Sequence, residues 1–194
     1  MAHVDSEVHH GCVLSTTADL ESSRLHVIAS LSSLREKTSV TTNGNAVVTN
    51  HGPYICLGFK IQNNLVYASD VSHIPEDTWA LLEGSPIKVF VLDCLRLCAH
   101  ASHMGLSESV AAARRLRASR TYLTGFNHEI GHDEHITIGR FVGREINAET
   151  ADLTAMERTG ISLVGEGPPI WVRPAHDGLR VFVGSGTLSD ESYD

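Results

Sequence analysis

Apolar residues fall along this chain in short blocks separated by polar turn material. The block Tyr54-Ile55-Cys56-Leu57-Gly58-Phe59-Lys60-Ile61, the polar pair Asn63-Asn64 and the block Leu65-Val66-Tyr67-Ala68 predict a β-hairpin that delivers Asp70 at its end. The run Ile87-Lys88-Val89-Phe90-Val91-Leu92-Asp93 is continuous and of strand length, which predicts a strand covered on both faces and again closed by an Asp. Pro75-Glu76-Asp77 opens a predicted helix through Leu82, with acids near the positive end of the dipole. Residues 106–117 form a second helix, with Val110, Ala113 and Leu116 on one face and the solvated Arg114, Arg115 and Arg117 mostly on the other. Arg120-Thr121-Tyr122-Leu123-Thr124 is the next strand. The β-α-β-α-β order from Lys88 onward predicts a layered α/β fold.

The remaining segments carry weaker patterns. Residues 133–142 and 148–159 read as helices, and 170–173 and 179–183 as closing strands around Pro174-Ala175-His176-Asp177-Gly178. Residues 1–11 hold one short strand, 4–8, running into the loop His9-His10-Gly11. From 12 to 50 the composition turns to Ser, Thr, Leu and Asn, with a helical pattern at 22–36, turn material at 41–45 and no matching strand, so 12–50 reads as an irregular insertion. Residues 189–194 read as a disordered acidic tail.

At 194 residues, with 42% hydrophobic and 20% charged positions, the expectation is one globular domain. A net charge of -8 argues against a nucleic-acid partner, which needs a basic face. It leaves room for a phosphate-bearing substrate, because a divalent cation can supply positive charge locally. No apolar run approaches membrane-spanning length, and no basic segment precedes an apolar core at the N-terminus, so a soluble, cytoplasmic chain without a membrane partner is expected. Cys12, Cys56, Cys94 and Cys98 form no C-x-x-C pair and read as buried thiols of a reducing compartment.

Of twelve histidines, nine fall in short neighbourhoods: His9 with His10, His51, His73, His100 with His103, and His128 with His132 and His135. A carboxylate at a strand end, with histidines before and after it, is what a metal-hydrolase site requires. Asp70 ahead of Pro75-Glu76-Asp77-Thr78 also suits a turn cap. His73 and His100 read as surface positions, and a cysteine nucleophile at Cys94 or Cys98 with His100 lacks any accompanying oxyanion motif.

In order and spacing, Tyr54-Ile55-Cys56-Leu57-Gly58-Phe59, Val66-Tyr67-Ala68-Ser69-Asp70, Ile74-Pro75-Glu76-Asp77-Thr78, Val89-Phe90-Val91-Leu92-Asp93, His103-Met104-Gly105-Leu106-Ser107-Glu108, Tyr122-Leu123-Thr124 and Pro174-Ala175-His176-Asp177-Gly178-Leu179 resemble the C-terminal half of the metallo-β-lactamase superfamily. The similarity is to the branch of the phosphonate-pathway cyclic phosphodiesterase and its fungal relatives. It implies an αββα sandwich whose C-terminal half is 51–188 and whose N-terminal half is incomplete, with two divalent metals, zinc or manganese, between the sheets. By the same resemblance Asp70 bridges the metals, and His51 or His10, each followed by Gly, binds one of them. His103 protonates the leaving oxygen. Thr124-Gly125 stands where the family has Thr-His, so His128 is the candidate for that last ligand.

The family's H-x-H-x-D-H string is absent. The implied function is a metal-dependent hydrolase of a small-molecule phosphodiester or ester, in a chain that is truncated and weakly active, or inactive with its metal lost. The alternative is a non-catalytic remnant serving as a binding or assembly partner. A half-sandwich exposes a sheet face, which invites a homodimer.

Overall fold

The computed structural model describes residues 44–62, 64–184 and 186–194. His10, the strand at 4–8 and the helical pattern at 22–36 lie outside the described residues. The first element among the described residues is strand β1, Gly44–His51, paired antiparallel with β2, Tyr54–Ile61, along its whole length. This corrects the reading of 12–50 as irregular throughout. Ala46-Val47-Val48-Thr49 is β-branched enough to extend, and Val47 is buried while its neighbour Val48 is exposed, the alternation of a strand with one face covered.

From β2 the chain returns in β3, Leu65–Ala68, as the hairpin pattern predicts. Helix α1, Glu76–Leu82, follows, with Pro75 just outside it as N-cap rather than in its first turn. Strand β4, Val89–Asp93, is wholly buried. Helix α2, Leu106–Leu116, leads to β5, Arg120–Thr124, and helix α3, His132–Val142, follows it. Helix α4, Ala155–Val164, starts later than the pattern at 148–159 suggests. The Thr154 side chain accepts from Glu157 N–H while the Glu157 carboxylate accepts from Thr154 N–H, a capping box that fixes the start. Strands β6, Val172–Pro174, β7, Val181–Val183, and β8, Leu188–Asp190, complete the fold.

Strands β1 to β6 form one six-stranded sheet in chain order, antiparallel at β1–β2–β3 and parallel from β3 to β6. Period-two alternation in β4 sends Phe90 and Leu92 to one face and Val89 and Val91 to the other. The first face packs on Trp79 and Leu82 of α1, Leu106 and Val110 of α2, Ile138 of α3 and Val164 of α4. Burying side chains of this size contributes about 1.5–3 kcal/mol each. Gly139 lets α3 press on β6: a β-carbon there would lie 2.4 Å from the Val172 carbonyl oxygen.

The second face, with Leu65, Val89, Val91 and Tyr122, is covered by Leu179 and Val181 and by the antiparallel pair β7–β8. The segment 189–194, read as a disordered tail, is therefore part of the fold. Asp190 is buried and accepts from the Tyr122 hydroxyl (2.7 Å) and from Arg120, and the Tyr193 hydroxyl donates to the Pro174 carbonyl. Two further expectations need correction. The Arg114 guanidinium is not simply solvated but donates to the Val164 and Gly165 carbonyls at the end of α4, and Arg115 pairs with Glu76 and Glu83. Of the cysteines, Cys94 is buried and Cys56 half-buried, whereas Cys98 is exposed. Among the described residues no helix is long and apolar enough to cross a membrane.

Candidate metal centre

In a parallel sheet the loops after the strands gather at one edge, where ligands are commonly bound. Here that edge holds Asp70, two residues past β3, and His103, in the connection from β4 to α2. His51, the last residue of β1, comes to the same place from the neighbouring hairpin. Its turn is made by Gly52 at φ +58, and a β-carbon on Gly52 would lie 3.3 Å from the Ala101 carbonyl, so the hairpin tip rests on the His103 loop. Asp70 adopts φ +52, a left-handed backbone that costs a non-glycine residue about 1–3 kcal/mol and is commonest where the surroundings hold it. Two donors do so: the Asp70 carbonyl accepts from His51 Nδ1 (3.2 Å) and from the Cys56 thiol (3.2 Å). Burial pushes the Cys56 thiol up, which keeps the proton that this bond needs.

The possible ligand atoms of His51, Asp70 and His103 all lie within 4.8 Å of one another. The two imidazoles meet edge to face with ring centroids 4.5 Å apart. Their hydrogen bonds determine which nitrogen is free. A carbonyl can only accept, so His51 carries its proton on Nδ1 and offers a lone pair at Nε2. His103 Nδ1 lies 2.9 Å from Asp93 Oδ2, which also accepts from the backbone N–H groups of Val71 (3.2 Å) and Met104 (3.3 Å). An oxygen already receiving two N–H donors is an acceptor towards the imidazole as well, so His103 too has its lone pair at Nε2. Asp93 is almost wholly buried. Burial pushes its carboxyl up, while His103 and the two backbone N–H groups pull it back. Two imidazole rings, each with Nδ1 tied to oxygen, plus one carboxylate, form a donor set that suits a divalent cation.

Of the residues expected from the sequence, His51, Asp70 and His103 come together, and His10 lies outside the described residues. His128 is exposed and takes no part in the three-residue group. Gly125, at φ +84, faces Asp93 instead: a β-carbon there would lie 2.8 Å from Asp93 Oδ1, so a side chain at this position would strain the backbone and displace the Asp93 carboxylate. The residue that sequence reasoning missed is Asp93. Its signal was the strand-ending acid, but nothing in the spacing ties it to a histidine ten residues on. The cysteine reading loses its basis at Cys94, because burial pushes that thiol up to about 12, leaving no thiolate at neutral pH.

Residues 5–126 match the family described as the beta-lactamase superfamily domain. Among solved structures the chain is similar to one titled a new diphosphatase from the PhnP family, at 26% identity and a TM-score of 0.49, over 70% of this chain and 41% of that one. It is also similar to the metallo-beta-lactamase fold protein YhfI from Bacillus subtilis, at 19% identity and a TM-score of 0.44, over 70% of this chain and 47% of that one. The chain thus spans less than half the length of either structure. No curated protein matches it.

Proposed function

The chain belongs to the beta-lactamase superfamily, and from that premise we propose that His51, Asp70 and His103 hold a divalent cation, zinc or manganese, in a hydrolase acting on a small phosphodiester. The observation that carries this reading is the set of three donors within 4.8 Å of one another, in which the Nδ1 atoms of both histidines are taken up by hydrogen bonds to oxygen. Only three donors converge among the described residues, which fits weak rather than efficient turnover.

A bound cation would supply positive charge for an anionic substrate and would activate water for attack at phosphorus. The chain's own groups supply the rest. Asp70 brings the negative charge that offsets the cation. Its carbonyl fixes the His51 ring, and Asp93 fixes the His103 ring.

The test is metal content by mass spectrometry on protein purified without chelator, wild type beside Asp70→Ala, together with hydrolysis of bis-p-nitrophenyl phosphate. The expected result is near-stoichiometric metal that Asp70→Ala loses, with turnover lost alongside. Gly125, in place of the histidine expected after Thr124, favours one other reading, a non-catalytic member that acts by binding a partner. Absence of metal from wild type, with no hydrolysis on adding zinc or manganese, would overturn the hydrolase reading and turn the search to a partner.

A further inference from the structure

Two imidazoles stand side by side in the loop after β4, and their hydrogen bonds put them in opposite tautomers. His103 donates from Nδ1 to Asp93 and leaves a lone pair at Nε2. His100, whose ring centroid lies 5.7 Å from that of His103, is wired the other way. The backbone N–H of Ser102 lies 3.3 Å from His100 Nδ1 and can only donate, and the Ser102 hydroxyl lies 3.2 Å from the same nitrogen. His100 Nδ1 must therefore accept, and its proton sits on Nε2. The side chain is exposed, and no described residue accepts from that Nε2–H. The loop is seated: the Asn127 N–H bonds to the Leu95 carbonyl, the Met104 N–H to the Val71 carbonyl, and Gly52 packs on Ala101 and Ser102.

A lone pair suits a cation and an N–H suits an anion. The geometry points to His100 as a substrate-binding residue, its Nε2–H donating to a non-bridging oxygen of a phosphodiester whose phosphorus lies at the His51–Asp70–His103 cluster. This rests on the reading of that cluster as a cation site. It also divides the work differently from the resemblance, which gives His103 the contact with the substrate. With His103 Nε2 turned to the cation, the free N–H of this loop belongs to His100. The other exposed histidines near this edge lack the arrangement: for His73 and His128 no described side-chain hydrogen bond fixes a tautomer, and neither ring stacks on a member of the cluster.

The experiment uses the full chain as wild type, His100→Phe and His100→Gln. Zinc content is measured for each, and binding of phenylphosphonate, an anion that cannot be hydrolysed, is measured by titration calorimetry with zinc present. Phe keeps an aromatic ring without a donor, and Gln restores an N–H. The expected result is equal zinc in all three, a dissociation constant raised about tenfold or more in His100→Phe, as loss of a hydrogen bond to a charged group implies, and partial recovery in His100→Gln. Unchanged affinity in His100→Phe with zinc retained overturns the inference and leaves the cation site standing. Zinc missing from wild type overturns the cation site itself, and this inference with it.

Discussion

Asp93 Oδ2 accepts from His103 Nδ1 at 2.9 Å while the same carboxylate is almost wholly buried beneath the sheet edge. A buried acid bound to one ring nitrogen settles which nitrogen the ring shows to the site. Such a partner is commonly worth 10–100-fold in metal affinity. Asp93→Asn should therefore weaken zinc binding by about that factor, read by competition with a chromophoric chelator. Wild-type affinity in Asp93→Asn would show that His103 needs no such support. Asp93→Ala should in addition destabilise the fold by about 1–3 kcal/mol, because the buried Val71 N–H loses its acceptor, whereas the Met104 N–H keeps the Val71 carbonyl.

The C-terminal strand gives a second prediction. Burial pushes the Asp190 carboxyl up, but the Tyr122 hydroxyl, the backbone N–H groups of Ser192 and Tyr193, and Arg120 together hold it below the usual carboxylate range. Asp190→Ala leaves the buried Tyr122 hydroxyl without its acceptor and Arg120 without its buried partner, a loss of about 3 kcal/mol in urea unfolding. Asp194→Ala, which removes the exposed partner of the same arginine, should cost clearly less, because water screens that pair. Equal effects of the two changes would mean that β8 does not anchor the second face of the sheet through its buried acid.

Much of this fold was legible in short apolar runs. β2, β3, β4 and β5 fall where their apolar residues lie, and β4, buried at every position, leaves the unbroken hydrophobic signature of a strand covered on both faces. β1 and β8 did not show. β8 is only Leu188-Ser189-Asp190, and β1 sets Val47-Val48-Thr49 among Gly, Asn and His, so neither carries an apolar run of strand length; each extends because a neighbouring strand offers a ladder, which no local pattern records. Asp70, His51 and His103 could be named as candidates, since their residue types carry the chemistry. The tautomers that distinguish His103 from His100 could not, because they depend on Asp93 and on the Ser102 N–H, and thus on the path of the loop.

Helix α4 was misplaced for a reason that its sequence does contain. Thr154-Ala155-Met156-Glu157 is the S/T-x-x-E pattern of a helix start, and both of its reciprocal bonds form, at 3.1 Å and 2.6 Å. Thr154→Ala removes the acceptor for the Glu157 N–H and should cost about 1 kcal/mol, whereas Thr154→Ser should be close to neutral. Urea unfolding of the two variants checks this, and equal stability of Thr154→Ala and wild type would mean that packing of α4 on α3 alone sets its start.

The last prediction concerns pH and the buried His135, whose ring stacks on Phe126 with centroids 4.0 Å apart. Burial lowers its pKa from the ordinary 6.5, the Gly131 carbonyl that accepts from Nδ1 partly opposes this, and His132 adds to the lowering. In the folded chain the ring therefore stays neutral at a pH where the unfolded chain has already taken up a proton. Stability from this group is fully present above 6.5 and falls as the pH drops below that value towards the folded pKa. One proton limits the slope to about 1.4 kcal/mol per pH unit. His135→Leu removes the titration and keeps apolar bulk beside Phe126, so its unfolding free energy should fall less than that of wild type between about pH 7 and pH 5. Titrating groups common to both chains cancel in that difference. Parallel pH profiles for the two proteins would mean that His135 takes up its proton as readily in the folded chain as in the unfolded one.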